Sequence, residues 1–350
     1  MCGDVMAGRE VEQALPPPGE FAIPEPSVSN DVSFEYAWGD ALQELQRIRP
    51  VARIVNLATA VTMSSEAWPR RSVHYRMSPA NVPRLSAVGI DCCVLANDHV
   101  LDWGHSGLRD TLSTLHDAGI RTAGAGLSEA EAAAPAVIDV PGGSRLLIFG
   151  FALKSGRVPR AWRAATARAG VNWVRDLSER SLEAIRRQIS RYRQEGCLVV
   201  ASIHWGGGWG LGVSEEEREF AHRLIDTAGV DIVHGHSSSH AKGIEIYRRR
   251  LILYGCGDLL NDPEGGGGTR VYRRPDLALM YFPTLDAASG ELLSLLMVPM
   301  CARDCRLNSV SPRAAARFAA TLNLECNKLG AHITQQSDAK LALQWEGSST

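Results

Sequence analysis

The sequence predicts an α/β fold, because short apolar runs typical of buried strands alternate with helical segments along the chain. Six runs have the length and composition of strands, at 53–57, 90–95, 145–150, 198–203, 230–233 and 251–254. Four further segments have helical patterns, at 80–88, 107–118, 182–194 and 215–228. This alternation favours layered sheets and helices over a helical bundle or a barrel of hairpins.

Local signals support these elements in chain order. The run at 53–57 is short and β-branched, and the helical segment at 80–88 ends at Gly89, a residue favoured just after a helix. The segment at 107–118 places three leucines on one stripe and stops at a glycine, which predicts a helix with one buried face. The glycine-rich stretch 264–269 lacks the lysine and helix of a phosphate-binding loop and is interpreted as a flexible loop.

Composition limits the partners. The 350 residues are 45% apolar and 22% charged with a net charge of −2, so nothing drives the whole chain toward nucleic acid or an anionic membrane. No apolar stretch approaches the roughly 18 residues of a spanning helix, and no signal peptide is visible. The eight cysteines form no CxxC pair and are interpreted as reduced, mostly buried thiols. We expect a cytoplasmic protein without a membrane segment that acts on a peptide or a small molecule.

The chain is expected to hold one large domain over residues 1–300, followed over 301–350 by a helix and a polar tail. Within the domain, the segment 157–193 carries ten arginines against three acidic residues, together with two tryptophans. One interpretation is a solvated helical face. The other is an insertion that closes over an anionic or aromatic-bearing substrate, because arginine binds oxyanions and tryptophan stacks on rings.

Four of the ten histidines follow two strand-like runs. His204 comes after the run at 198–203, and His234, His236 and His240 come after the run at 230–233. Neutral imidazole is the commonest protein ligand for divalent transition metals, and side chains at strand ends can converge on one ion. His234 and His236 are two residues apart, so on an extended strand their side chains point the same way.

Six short motifs occur in a recognisable order: Gly3-Asp-Val-Met6, Asn56-Leu-Ala58, the segment 96–104, Ile203-His-Trp-Gly206, Gly235-His-Ser-Ser-Ser-His240 and Tyr254-Gly-Cys-Gly-Asp258. This order resembles the CapA family, named for poly-γ-glutamate capsule synthesis, within the metallophosphoesterase superfamily. The resemblance covers about residues 3–300. It implies a four-layer α/β/β/α sandwich with a metal site at the carboxyl ends of the strands.

The resemblance implies a ligand set for one or two divalent ions, Mn, Zn, Fe or Ca, formed by Asp4, Asp98, His204, His236 and His240. His99 is the candidate general acid or base, and Asp102, three residues later, is placed to orient its ring. His234 is assigned a catalytic or substrate-facing role. Asn56, Trp205 and Asp258 are the candidate substrate-binding residues.

Departures from the family pattern matter as much as the matches. The family usually has glutamate where this chain has Ala58, and that glutamate is expected to bridge two metals. Alanine offers no oxygen, so a two-metal site should be weakened or reduced to one ion. Asp98 and Asp258 stand where the family has asparagine, and this added negative charge compensates in part. Ser239 replaces the first histidine of a final pair, whereas His240 is retained.

Three functions follow from these residues. The first is a metal-dependent hydrolase of a phosphoester or peptide-like substrate, with His99 as acid or base. The second is a metal-dependent peptide epimerase, as in the MslH-type branch that inverts the C-terminal tryptophan of lasso peptides, with His99 and either His234 or His240 as bases. The third, supported by Ala58, is a catalytically impaired binding protein in capsule polymer synthesis.

Overall fold

The computed structural model describes residues 1–6, 35–207, 210–260, 277–303 and 306–347. The glycine-rich stretch 264–269 lies outside these residues, so its interpretation as a flexible loop stays a prediction. Within the described residues, no helix has the length and hydropathy needed to cross a bilayer.

The predicted α/β class is confirmed, since strands and helices alternate through most of the chain. The strands in chain order are β1 Asp4–Val5, β2 Ile54–Leu57, β3 Ala60–Val61, β4 Arg76–Met77, β5 Cys92–Val94, β6 Arg121–Ala123, β7 Ala125–Gly126, β8 Ala136–Asp139, β9 Arg145–Leu153, β10 Gly170–Val171, β11 Trp173–Val174, β12 Cys197–His204, β13 Ile232–His236, β14 Ile244–Tyr247, β15 Arg250–Leu253, β16 Asp258–Leu260, β17 Leu277–Leu285, β18 Leu292–Arg303, β19 Arg306–Ser309, β20 Ala331–Gln335 and β21 Leu341–Trp345. All six predicted strand segments are present.

The helices agree with the sequence patterns as well. The α-helices are α1 Ala41–Ile48, α2 Pro83–Ala87, α3 Gly104–Asp117, α4 Glu129–Ala133, α5 Glu179–Tyr192, α6 Glu215–Ala228 and α7 Pro312–Cys326. Helix α6 begins with a reciprocal capping box between Ser214 and Glu217 and ends at Gly229 in the left-handed conformation. Short 3-10 turns occupy Tyr36–Trp38, Pro79–Asn81, Lys154–Gly156, Arg160–Trp162 and Asn327–Leu329.

Two sheets form the centre of the molecule. The first has the strand order β16-β1-β2-β5-β6, and all of its strands are parallel. The second has the order β11-β9-β12-β13-β15-β14, with β8 also paired to β9. Its five strands from β11 to β15 are parallel, and β14 and β8 are antiparallel additions. The carboxyl ends of parallel neighbours meet at one edge, which is where ligand sites form in such folds.

Side-chain alternation gives the layers. Leu198 and Val200 of β12 share a core with the first sheet and with helix α3, whereas Val199 and Ile203 pack with helices α5 and α6. The order is therefore helices, second sheet, first sheet and helix α3, the α/β/β/α arrangement that the family resemblance implies. Side chains that point into the space between the two sheets can therefore contact one another.

The C-terminal region differs from the expected polar tail. Strand β18 runs across position 300, and the hairpin of β20 and β21 pairs with it through Leu296↔Ala342 and Met297↔Leu341. Alternate residues of the hairpin, such as Ile333 and Leu343, are buried in the main core. Apolar and polar residues alternate along much of both short strands, which is the period of two of half-buried strands. The hairpin completes a third sheet with β17, β18 and β19.

The arginine-rich segment 157–193 belongs to the same layers. Strand β11 pairs with β9 in the second sheet, and helix α5 packs Leu182, Ile185 and Ile189 against that sheet. The helix therefore has the buried stripe and solvated face of an ordinary surface helix, as the first interpretation expected. The arginines before the helix line a cleft that is described below.

Candidate functional site

Strand alternation brings four polar side chains to one face of two adjacent strands. In the parallel pair of β12 and β13, Ser202 lies beside His234 and His204 lies beside His236. Ser202 and His204 are two positions apart on β12, as His234 and His236 are on β13, so all four side chains point into the space between the two sheets. The expectation that His234 and His236 share a face is confirmed.

These side chains form a buried hydrogen-bonded row. His234 Nε2 donates to the Cys2 carbonyl at 2.9 Å, and His234 Nδ1 lies 2.9 Å from Ser202 Oγ. Ser202 Oγ is also 3.0 Å from His236 Nε2, and His236 Nδ1 is 2.9 Å from His204 Nδ1. None of the three histidines is more than 1% exposed. We call Cys2, Ser202, His204, His234 and His236 the histidine row.

The row's environment favours neutral imidazoles at its inner end. Burial and the nearby N-terminal ammonium lower the pKa of His234 to about 3. Burial, together with the neighbouring His204 and His234, lowers the pKa of His236 well below its usual value. Because both ring nitrogens of each of these residues are engaged within the row, neither side chain is placed to touch a substrate. This corrects the substrate-facing role expected for His234.

The outer end of the row meets Asp98, which follows β5. His204 Nε2 lies 3.1 Å from Asp98 Oδ1, without the alignment of a hydrogen bond. Arg157 Nε is 3.4 Å and Arg71 NH2 is 3.7 Å from Asp98 Oδ2. Burial opposes ionisation of Asp98, but the charge of His99, the contact with His204 and the charge of Arg157 outweigh it and hold the pKa of this carboxyl well below its usual range.

Asp4 reaches the same region from β1. Its carboxylate accepts a hydrogen bond from Asn56 Nδ2 at 2.7 Å, and Asn56 Oδ1 accepts one from Asn97 Nδ2 at 3.0 Å. A Cβ at Gly3 would lie 1.8 Å from the Gly257 carbonyl oxygen, so only glycine allows β1 to approach there. Burial raises the pKa of Asp4, while His204 and Asn56 act in the opposite direction. Asn56 is fully buried and orients Asp4 rather than facing solvent.

His99 stands beside Asp98 with its ring held from behind. His99 Nδ1 lies 2.8 Å from Asp102 Oδ2, while Asp102 also accepts from the Tyr75 backbone amide at 2.9 Å. Arg71 Nε lies 2.8 Å from the other Asp102 oxygen. His99 Nε2 then faces Asp98 Oδ1 at 3.6 Å. Burial disfavours the charged ring, but Asp98 and Asp102 together raise the pKa of His99.

The loop after β9 closes over this group. Gly156 lies against His204, since a Cβ there would come within 2.6 Å of the His204 carbonyl oxygen and 2.7 Å of its ring. The next residue, Arg157, adopts the left-handed conformation with φ 66°, and this turn directs its side chain back toward Asp98.

Arg157 also lines a cleft of about 850 Å³ beside the site. The cleft carries six cationic side chains and two acidic ones. The cationic residues are Lys154, Arg157, Arg160, Arg163, Arg175 and Arg180. The acidic residues, Glu129 and Asp176, each pair with a cleft arginine. The cleft is therefore strongly basic and can receive an anionic ligand.

Two predicted site residues lie apart from this group. Trp205 follows His204 by one residue, so its side chain points to the helix-facing side of the sheet, where it is 1% exposed and donates to the Tyr254 carbonyl at 3.0 Å. It is a core residue, which corrects its expected contact with substrate. His240 Nε2 donates to the Gly210 carbonyl at 3.0 Å and is therefore engaged outside the histidine row. Asp258 is buried and is the register partner of Asp4.

Comparison with known proteins settles the family. The model of the family described as bacterial capsule synthesis protein PGA_cap matches residues 1–263. This chain belongs to the PGA_cap family. The resemblance to CapA proteins is thereby confirmed, whereas the epimerase branch stays a prediction.

Two relatives extend the PGA_cap assignment. A probable polyglutamine synthesis accessory protein of Mycobacterium tuberculosis is 37% identical over 354 residues, covering 96% of this chain and 93% of the relative. The PGA biosynthesis protein CapA of Bacillus subtilis is 24% identical over 266 residues, covering 74% and 62%. A crystal structure of a novel phosphatase of Mycoplasma pneumoniae covers 81% of this chain and 91% of its own at 11% identity and a TM-score of 0.44, too low to carry an argument.

The PGA_cap chain departs from its family's expected carboxylate at Ala58. This residue is fully buried in a small apolar cluster with Met6 and Tyr75, and its amide donates to the Val5 carbonyl at 3.0 Å. The position therefore holds a methyl group in an apolar environment. A carboxylate there would need a cation to offset its burial.

The residues that could hold a dication are Asp4, Asp98 and His204. Within the described residues, no group of three or more His, Cys, Asp or Glu is already arranged around a metal position. However, the buried His204 Nε2 has no aligned hydrogen-bond partner and faces the Asp98 carboxylate, and Asp4 is electrostatically linked to both residues. A mixed carboxylate and imidazole set suits Mn, Fe or Zn. His236 and His240, as they stand, direct their nitrogens elsewhere.

Sequence patterns missed three members of the site. Ser202 could have been found, because it lies two residues before His204 on the same strand and must share its face. Asn97 lies within the motif at 96–104. Its side-chain amide donates to Asn56 Oδ1 and to the Leu57 carbonyl, and these contacts are visible only in the folded structure. Arg71 comes from a loop far from any strand end and carries no local signal.

Proposed function

We propose that this PGA_cap protein is a metal-dependent hydrolase that acts on an anionic phosphoester or peptide-like substrate, with one divalent ion and with His99 as general acid. The observation that carries the proposal is the position of His99, whose Nε2 faces Asp98 while Asp102 holds its Nδ1. Asp98, in turn, faces the unpartnered His204 nitrogen. An acid and a cation site therefore lie side by side.

Asp4, Asp98 and His204 are the residues proposed to hold the ion. When bound, a dication lowers the pKa of water and polarises a phosphoryl or carbonyl oxygen. Asn56 keeps one Asp4 oxygen engaged at 2.7 Å, which fixes the direction of the other oxygen. Arg157 and Arg71 place positive charge on the far oxygen of Asp98, where an anionic group of the substrate can exchange for that contact.

His99 is proposed to donate a proton from Nε2 to the leaving group. Asp102 fixes the ring through Nδ1, and Asp98 and Asp102 together raise the pKa of His99 against the effect of burial. Asp102 thereby keeps Nε2 directed at the site, as a general acid requires. Tyr75 packs edge-on against it with ring centroids 4.6 Å apart, which limits rotation.

The basic cleft supports an anionic substrate. Its cationic side chains begin at Arg157, beside Asp98, and continue to Arg180 on helix α5. The relatives are described as acting in polyglutamine synthesis and in PGA biosynthesis. A polymer of γ-linked glutamate carries one free carboxylate per residue, which matches a row of arginines. We therefore propose γ-glutamyl peptides as the first substrate class to test.

The test is hydrolysis of γ-glutamyl oligopeptides and of a simple aryl phosphate by the full chain supplied with Mn or Zn. We expect metal-dependent turnover of one class that is lost in His99→Ala and kept in His116→Ala, since His116 is exposed on helix α3 and contacts Thr122. Binding of the polymer without turnover under any metal would overturn the hydrolase and favour a binding protein of polymer synthesis.

Peptide epimerisation is the second candidate, and Ala58 is the observation that favours it. With no carboxylate at that position, a second ion is poorly held, and single-ion or arginine stabilisation of an enolate suffices for proton transfer. His99 would be one base, and the second would be His240, whose ring must first leave the Gly210 carbonyl. Uptake of deuterium at Cα of a peptide without bond cleavage, measured by mass spectrometry in heavy water, would distinguish epimerisation from hydrolysis.

A further inference from the structure

We infer that Ser202 and His234 are positioning residues that set the protonated nitrogen of His204, so that its other nitrogen presents a lone pair to the carboxylates of Asp4 and Asp98. The inference rests on the proposed cation site, and it concerns residues that touch neither substrate nor ion. It follows from counting donors and acceptors along the histidine row.

The count begins at a group that can only accept. The Cys2 carbonyl has no proton, so His234 Nε2 must carry the hydrogen of their 2.9 Å contact. A neutral His234 has then used its one hydrogen, and its Nδ1 must accept. Ser202 Oγ, 2.9 Å away, is therefore the donor to His234.

The hydroxyl of Ser202 determines the direction of the next contact, with His236. Ser202 has a single hydrogen, so it must accept from His236 Nε2 at 3.0 Å. A neutral His236 then has a bare Nδ1, and the 2.9 Å contact between the two Nδ1 atoms requires the hydrogen to be on His204. His204 Nε2 is left as a lone pair that faces Asp98 Oδ1 at 3.1 Å. Two electron-rich atoms at this distance need a cation between them, either a proton or a metal ion.

The opposite direction is disfavoured by geometry. If His204 carried its hydrogen on Nε2, each later link would reverse, and the row would end with a bare His234 Nε2 against the Cys2 carbonyl. Adding a hydrogen at His234 Nε2 would repair that contact only by leaving an imidazolium in a fully buried position. The Cys2 carbonyl thus determines, through four successive hydrogen bonds, which nitrogen of His204 carries the hydrogen.

Ser202→Ala tests the inference, because it removes the central link without touching His204 or the carboxylates. Without the serine, His236 and His204 can both reverse, and a hydrogen on His204 Nε2 then bonds directly to Asp98. That hydrogen occupies the position a metal needs, so we expect Mn or Zn affinity to fall by about tenfold or more. Ser202→Thr keeps the hydroxyl on a β-branched residue suited to a strand and should restore both properties.

The primary readout is the ¹⁵N spectrum of the histidine rings in metal-free protein, with metal titration by calorimetry as the second. Wild type and Ser202→Thr should show a protonated Nδ1 on His204 and a bare Nδ1 on His236, and Ser202→Ala should lose this pattern. An unchanged pattern in Ser202→Ala would overturn the inference. If the pattern changes as expected but no variant binds metal, the inference stands and the proposed single-ion hydrolase fails.

Discussion

The two faces of the seven-stranded sheet differ sharply at its carboxyl edge. On the inner face, Ser202, His204, His234 and His236 form a buried polar row that ends at Asp98. On the outer face, one residue out of step, Ile203 and Trp205 pack with Tyr254 and helix α6 in an apolar core. Alternate residues of β12 thus belong to the polar site on one face and to the apolar core on the other. Substitutions on the inner face should alter function, and those on the outer face should alter folding.

The largest expected effect lies on the functional side, just across from β12. His99→Ala should lower the rate constant of the proposed hydrolysis by about 10²–10⁴-fold, because it removes the proton donor. Its melting temperature should fall only modestly, because Asp102 keeps its contacts with Arg71 Nε and the Tyr75 amide when the ring is removed. Steady-state kinetics and thermal unfolding measured on the same preparation check both parts. Equal activity of His99→Ala and wild type would remove His99 from the reaction.

Trp205→Ala should produce the converse result. This side chain is 1% exposed, stacks near Tyr254 and donates to the Tyr254 carbonyl, so its removal leaves a large cavity. We expect a loss of about 3–5 kcal/mol in the free energy of unfolding. Chemical denaturation measures the loss, and Trp205→Phe, which keeps most of the volume, is the matched control. A Trp205→Ala protein of normal stability but with altered substrate affinity would contradict the division between the faces.

Ala58→Glu tests whether the inner side lacks a second ion because of a single side chain. In metal-free protein a carboxylate among Met6 and Tyr75 should cost about 3 kcal/mol of unfolding free energy, more than the neutral Ala58→Gln of similar size. Added Mn or Zn should restore stability to the glutamate variant alone, by binding beside it. Thermal unfolding with and without metal is the measurement. Equal behaviour of the two variants would argue that this position is remote from any cation.

A smaller, pH-dependent effect is expected far from both faces. Asp40 accepts from the Ser309 amide at 2.9 Å and from Arg306 at 3.2 Å, and these contacts lower its pKa. The ionised carboxylate therefore stabilises the fold above its ordinary pKa, and this contribution is lost as the pH falls through the lowered value. Asp40→Asn should lose at most about 1 kcal/mol at pH 7 and nothing in strong acid. Denaturation at several pH values checks this, and a pH-independent difference would contradict it.

The sequence predicts the layers well because they depend on local periodicity. The six strand segments and four helices have patterns of apolar residues that fold locally as expected, and the motif order correctly gives the family. The hairpin of β20 and β21 was missed because each strand has only five residues, too few repeats of the alternation to distinguish it from a polar tail.

The sequence predicts which residues lie near one another in the candidate site better than it predicts where their side chains point. Asp4, Asp98, His99, Asp102 and His204 converge as the motifs suggest, since parallel strands end at a common edge. Trp205 comes one residue after His204, so its side chain points to the opposite face of the sheet, into the apolar core. His236 lies at the expected place, but whether its nitrogens face an ion or Ser202 depends on contacts between strands that no linear pattern records.

We propose a single cation site, formed by Asp4, Asp98 and His204 between the two sheets. Its existence is tested by the metal content of protein purified without chelator and then equilibrated with Mn or Zn, measured by plasma mass spectrometry beside His204→Ala. We expect about one equivalent per chain in wild type and far less in the variant. About two equivalents, or less than roughly a tenth of one, would show that this site does not exist as proposed.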